Sequence, residues 1–412
     1  MTSTLPTSDT PVHLAIALDG TGWHPASWRR TGSRATEVFT GRYWTDQALT
    51  AERGLIDFIT IEDSLALHAG TPFGPAPVPT TSRLVGRLDA SLVASWVATR
   101  TERIGIVPTI TTTHTEPFHV SKNLATLDHV SLGRAGWRVQ VSARPAEAAH
   151  VGRRAAPFGD VRDARDLASP EAQAQLRSLF DEAGDVIEVV RRLWDSWEDG
   201  AEIRDAATGR FIDRDKLHYI DFEGEYFSVK GPSITPRPPQ GQPVVTALGH
   251  QPIPYELAAR GADVLYVTPR DDEDAAAILA QVRELEGQHR TADTPLKVFA
   301  DLEVVLSTPE HGDGAARLRQ LDEVAGEEFT SDALVFAGDA AALADLVQRW
   351  HALGYAGFRL RPAEHAIDLP AITDALVPAL QRAGLFRTAY GPSTLRERLG
   401  LPAAVNRYAA SA

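Results

Sequence analysis

The chain reads as an α/β protein of the (β/α)8 TIM-barrel class, with insertions at the C-terminal face of the barrel. Three observations predict this. Short β-branched runs alternate with amphipathic helical stretches along the whole chain. Several of those runs are almost continuously apolar, as strands covered on both faces must be. The first run also lacks the G-x-G-x-x-G turn that an open, doubly wound dinucleotide sheet needs; Asp19-Gly20-Thr21-Gly22-Trp23-His24-Pro25 stands in its place.

In chain order, Val12–Leu18 predicts the first strand and Tyr43–Arg53 its helix. Leu55–Ile61 pairs with Arg87–Thr101, Arg103–Thr109 with Pro117–His129, and Trp137–Ser142 with Phe180–Trp197. The second half repeats the unit: Pro243–Leu248 with Ile253–Arg260, Ala262–Thr268 with Asp271–Arg290, Leu296–Leu306 with Ala340–Leu353, and Gly357–Arg361 with Ala371–Ala383. Eight strand-helix units are what a closed parallel barrel requires. The expected organisation is a disordered tail over residues 1–11 and one barrel over 12–412, with inserts at about 143–179, 199–242 and 307–335. The first and third inserts follow strands, so they are candidate lids over the face where barrel enzymes do their chemistry. The second carries Thr208-Gly209 and Glu223-Gly224, which read as turns of a small hairpin.

The 412 residues include no cysteine, which removes disulfides, thiol catalysis and cysteine-bound zinc. A formal net charge of -14, with no basic block to offset it, argues against nucleic acid and anionic membranes as partners. The opening MTSTLPTSDT has neither a basic nor an apolar stretch and reads as a tail, so the expected location is cytoplasmic. No H-E-x-x-H, H-x-H, P-loop or G-x-S-x-G pattern occurs, and no metal site is expected.

Four segments fall at strand C-termini and are candidates for the site: Trp23–Arg29, Glu62–Ser64, Thr109–Val120 and Leu248–Gln251. Each has an ordinary structural use as well. Asp63 suits a helix cap, and the threonine cluster at 109–113 is good strand composition. Their shared position at one end of the barrel is what singles them out.

At these segments the chain resembles the bacterial-luciferase-like flavin-dependent monooxygenases, in the branch of nitrilotriacetate, desulfurisation and long-chain alkane monooxygenases. The resemblance is carried by GWHPASWR (22–29), ERGLIDFITIED (52–63), ATLDHVSLGRAGWRVQVS (125–142), LWDSWED (193–199), DFEGEYFSVKGP (221–232), ELAARGADV (256–264) and TLRERLGL (394–401). It implies a monooxygenase that takes reduced FMN from a separate flavin reductase, molecular oxygen as co-substrate, a small organic substrate, and a homodimer or homotetramer. Carried over by position, it places Asp63, Thr109 and Ser142 at the flavin and Gly249, His250 and Gln251 at its phosphate. His114 and His24 are the expected catalytic residues, and Trp23 the substrate wall. The family's two serines after the fifth strand are His250 and Gln251 here, and its His-x-x-x-Tyr pair falls on Leu176 and Phe180. These departures leave open a deazaflavin-dependent oxidoreductase, or a flavin- or ligand-binding barrel without catalysis.

Overall fold

The structure, a computed structural model, describes residues 11–67, 80–154, 158 and 166–409. Eight parallel strands close into a barrel: β1 (His13–Leu18), β2 (Phe58–Ile61), β3 (Gly105–Thr111), β4 (Gly136–Gln140), β9 (Val244–Leu248), β10 (Val264–Val267), β11 (Lys297–Leu306) and β13 (Gly357–Pro362). Each pairs with the next, β11 pairs with both β10 and β13, and β13 returns to β1. Helices α1 (Gly41–Arg53), α2 (Ala90–Ala98), α3 (Pro117–Ser131), α5 (Pro170–Asp195), α6 (Pro252–Gly261), α7 (Asp272–His289) and α9 (Ala340–Leu353) follow successive strands. After β13 come α10 (His365–Ala371), one π turn and α11 (Val377–Arg382).

Strand periodicity sorts the side chains into two cores. Outward residues such as Ile16, Ile59, Ile106, Val139, Leu302 and Leu360 pack beneath the helices. Inward residues form layers. At the base Phe58, Val107, Val244, Val264 and Phe299 make an apolar floor, closed by Leu395 and Leu399 of the short α12 (Leu395–Arg398). Gly357 keeps this layer closed, because a Cβ there would lie 2.6 Å from Phe299 and from the His13 carbonyl.

Two residues further along each strand the interior becomes polar: Thr60, Thr109, Arg138, Thr246, Asp301 and Arg359, all buried, with Glu62, Glu303 and Arg361 above them. Arg359 reaches Asp301 at 2.8 Å and Glu62 at 2.6 Å. Arg138 reaches Glu62 at 3.0 Å, and Arg361 pairs with Asp301 and, at 2.7 Å, with Asp332. Charges removed from water need compensation on this scale. Three arginines inside the barrel are met by Glu62 and Asp301 within it and by the half-exposed Asp332 at its rim.

The inserts are richer than expected. Residues 307–335 hold α8 (Gly314–Ala325) and lead into a ninth strand, β12 (Leu334–Gly338). The ten-residue β11 makes room for it: on the edge away from β13, β10 takes residues 297–300 and β12 takes 302–306. The 199–242 insert forms two hairpins, β5 (Glu202–Asp205) with β6 (Arg210–Ile212) and β7 (Phe222–Glu223) with β8 (Ser228–Val229). The 143–179 insert contains α4 (Pro145–Val151) and the first turns of α5, which begins ten residues before the expected Phe180. Ser169 caps it by accepting the Ala172 N–H, with Pro170 at the first helical position. Those first turns are mostly exposed, with only the narrow stripe Ala172, Leu176 and Leu179 packed against Phe158, a weak periodic mark among alanine, glutamine and charged residues. Residues 155–157 and 159–165 of the insert, and most of the N-terminal tail, lie outside the described residues.

Asp301→Ala would leave Arg359 and Arg361 short of their shared partner. The expected cost is about 3–5 kcal/mol, as for breaking other buried pairs, read as a fall in the urea midpoint with the m-value unchanged.

Candidate active site

Above the charged layer the C-terminal ends of the strands surround a cavity of about 440 Å³, walled by the 19–27 loop after β1, the 62–67 segment after β2, residues 83–87, and Arg138–His150 of β4 and α4. A smaller recess of about 110 Å³ opens between β2, β3 and β4 and shares Asp63, Ser64, Leu65 and Gln140 with it. Together they fall in the range of small-molecule and cofactor sites, roughly 300–1,000 Å³.

The wall after β1 is fixed by close docking on β13. The Trp23 and His24 N–H groups donate to Pro362 and Ala363 carbonyls. Gly22 permits this, at φ +139° with its would-be Cβ 2.2 Å from the Ala363 carbonyl oxygen. The Trp23 indole N–H donates to Ala17 O at 2.8 Å, and the Arg361 guanidinium lies 4.7 Å from the ring centroid. His24 lines the cavity, but both ring nitrogens are engaged. Nδ1 accepts the Ala26 N–H at 3.1 Å, so the proton sits on Nε2 and points to Asp322 at 3.1 Å. Burial lowers its pKa despite that carboxylate.

Asp63, Thr109 and Ser142 come together on the smaller recess, from three adjacent strands. Asp63 accepts the Ser64 N–H at 2.7 Å and the Ala90 N–H at 2.9 Å, so it also caps the start of α2. Burial raises its pKa against those bonds. Thr109 accepts from Arg138 at 3.1 Å. Ser142 Oγ lies 2.8 Å from Thr111 Oγ1, while its N–H donates to Thr113 Oγ1 at 2.9 Å.

Gly249, His250 and Gln251 stand at the same end of the barrel, after β9, but are not among the residues lining these two cavities. His250 Nδ1 lies 2.9 Å from Thr268 Oγ1 and Nε2 lies 3.3 Å from the Asp332 carboxylate. Gln251 precedes α6, whose first and third residues are Pro252 and Pro254. Two prolines remove two of the N–H groups a helix start normally offers an anion. Phosphate donors are therefore sparse here, and a carboxylate is close.

His114 lies after β3 in a separate recess of about 160 Å³, with Arg154, Glu182 and Tyr226. Its Nε2 is buried without a hydrogen-bond partner. Burial and the nearby Arg154 lower its pKa, which keeps the ring neutral near pH 7. Sequence reasoning missed Gln140, Arg144 and His150 as cavity residues; the strand run through Ser142 carried a signal for Gln140 alone.

The charged floor shapes the electrostatics. Burial alone would raise Glu62, yet Arg138 and Arg359 hold it below its ordinary value. Glu303 is different: burial pushes it up to about 8, with Arg361 opposing and Asp332 and Asp301 adding to the rise. Its Oε1 accepts from Ser331 at 3.2 Å and its Oε2 has no partner. Neutral Glu303 leaves Arg138, Arg359 and Arg361 balanced by Glu62, Asp301 and Asp332.

The donors present fit a flavin-sized group at the mouth. The larger cavity alone is in the range of cofactor sites, and Arg138, buried at the floor, has an Nε without a hydrogen-bond partner.

The luciferase-like monooxygenase family matches residues 22–357. The chain is 30% identical to N-acetyl-S-(2-succino)cysteine monooxygenase of Bacillus subtilis (strain 168), across 97% of this chain and 98% of that one. It is 29% identical to nitrilotriacetate monooxygenase component A of Aminobacter aminovorans, across 95% and 96% of the two chains. The solved EDTA monooxygenase from Chelativorans sp. BNC1 shares the fold, with a TM-score of 0.78 at 22% identity, covering 95% of this chain and 99% of that one.

A folded-state value near 8 against an ordinary 4.5 means that Glu303 holds a proton the unfolded chain releases. Its contribution is complete below about pH 4.5 and is lost as pH rises through about 8. Relative to Glu303→Gln, the parent protein should lose stability by roughly 1 kcal/mol per pH unit across that window in chemical denaturation. A difference independent of pH would contradict the assignment.

Proposed function

The chain belongs to the luciferase-like monooxygenase family, whose members are reduced-flavin-dependent monooxygenases, and on that premise we propose that it takes reduced FMN into the mouth cavity and oxygenates a small organic substrate there. The observation that carries this reading is the convergence of Trp23, Asp63, Thr109 and Ser142 on two adjacent cavities that share a wall at one end of the barrel. Among the described residues no helix is long and apolar enough to cross a membrane. A cytoplasmic enzyme fed by a separate flavin reductase, and working as a homodimer or homotetramer, completes the proposal.

The bound flavin supplies electrons to molecular oxygen, one atom of which goes to substrate while the other leaves as water. The chain's own residues have narrower tasks. Asp63, Thr109 and Ser142 would hold the ring over the charged floor. Trp23, fixed at both its indole N–H and its face, walls the substrate side and keeps water out. His24 braces that wall to Asp322 instead of moving protons, since neither nitrogen is free. His114 would take or return a proton from the neighbouring recess, which shares Thr115 with the smaller cavity, once its buried and unpartnered Nε2 is reached from the mouth. His250 and Gln251 would meet the phosphate only if Asp332 turned away.

The test is single turnover of the protein with reduced FMN, ¹⁸O₂ and N-acetyl-S-(2-succino)cysteine or nitrilotriacetate as trial substrates. One ¹⁸O atom should enter the product of an accepted substrate. His114→Asn should slow that step by roughly 10²-fold or more with flavin affinity unchanged. Stable reduced flavin in air, or hydride transfer that proceeds without oxygen, would overturn the reading.

A further inference from the structure

The cavity's charges do not cancel, and the excess lies on one wall. Its three carboxylates are all committed: Asp19 to Arg87 at 2.6 Å, Glu62 to Arg138 and Arg359, and Asp63 to the backbone N–H groups of Ser64 and Ala90. Of its basic side chains, Arg87 is used by Asp19, Arg83 reaches Glu327 at 3.3 Å and His24 reaches Asp322 at 3.1 Å. The other basic side chains come from β4 and α4, and Arg138 among them is already paired with Glu62. Arg144 and His150 line the cavity, both exposed to it, and neither pairs with a carboxylate among the described residues. Arg138 lies below them, buried, with its Nε lacking an acceptor.

A buried donor without an acceptor is a standing cost that a ligand oxygen would remove. Cations collected on one side of a concave, low-dielectric wall also concentrate the field there and draw anions in. α4 itself is anchored at the mouth, because Ser64 Oγ donates to the buried Glu147 at 3.1 Å. Arg144 and His150 are thus carried on a segment tied to the β2 end of the site.

We propose that Arg138, Arg144 and His150 form an oxyanion subsite that takes a carboxylate or phosphate group of the molecule bound in the mouth. Arginine offers a planar fork suited to either group. The proposal rests on the mouth being the binding site, as proposed above. It adds that the bound molecule is anionic and that its charge is read from the β4–α4 side, not from Gly249–Gln251. Two sources share this chemistry: the phosphate of the cofactor and a carboxylate of the substrate.

The experiment uses the double variant Arg144→Gln/His150→Gln, both exposed positions, and anaerobic binding titrations with two matched pairs of probes. Reduced FMN is paired with reduced riboflavin, and succinate with uncharged succinamide. The double variant should lose at least tenfold in affinity for a charged probe while its uncharged counterpart binds as before. Loss confined to FMN assigns the subsite to the cofactor phosphate; loss confined to succinate assigns it to a substrate carboxylate; loss of both shows that either can use it. Unchanged binding of both charged probes overturns the proposal, as does equal loss of charged and uncharged partners or no binding of either charged probe by the parent protein. If the parent binds succinate but neither flavin, the flavin reading fails while the subsite stands. Arg144→Lys, which keeps the charge, should recover part of the lost affinity.

Discussion

Arg359 and Arg361 occupy the interior of a closed parallel barrel, where neither guanidinium can reach bulk water and both share the Asp301 carboxylate. The molecule has to satisfy this constraint before it can have a site at all. Glu62 from β2 and Arg138 from β4 extend the network across the barrel, so strands far apart in the sequence must meet in one register for every charge to find a partner. A slip of one residue in any of them would turn a charged side chain outward into the apolar layer beneath the helices. The apolar floor of Phe58, Val107 and Phe299 supplies the packing, while the ionic layer above it restricts how the strands can be assembled.

The same layer is the floor of the active-site mouth. A barrel interior filled to the top with valine and leucine would present an apolar surface to a ligand. Here a buried guanidinium, its Nε without a hydrogen-bond partner, lines the cavity instead. Balance around that floor depends on Glu303 holding its proton, which burial favours by pushing its pKa up to about 8. The loops then build upward from fixed points: Gly22 lets the first loop lie on β13, Trp23 is held at its edge and its face, and Asp63 joins the end of β2 to the start of α2.

Much of this was legible in the sequence, and the reason is periodicity. All eight barrel strands were visible as short runs, several almost continuously apolar as strands buried on both faces must be, while Trp137–Ser142 and Gly357–Arg361 carry the arginines of the inner layer. The start of α5 was not, because most of its first turns project into solvent; Ser169-Pro170 and the narrow stripe Ala172, Leu176, Leu179 were the signals that could have marked it. The strand β12 hid in an acidic, glycine-containing stretch, and its place depends on the unusual length of β11, which local pattern does not reveal. For the site, position at strand ends brought Trp23, His24, Asp63, Thr109 and Ser142 to one mouth. It did not reveal that His114 would turn into a neighbouring recess, that His24 would have both nitrogens engaged, or that His250 would face Asp332. Those are facts of partner choice set by the fold, His24 with Asp322 across 298 residues and His250 with Asp332 far downstream, beyond the reach of a local sequence window.

The account stands on the mouth above the ionic layer being where reduced flavin binds. Hydrogen–deuterium exchange under anaerobic conditions, with and without reduced FMN, tests that directly. Binding should slow exchange together in the segments 19–27, 62–67, 83–87 and 138–150, which wall the cavity from four different parts of the chain. Protection confined to other surfaces, with these four segments unchanged, would contradict it.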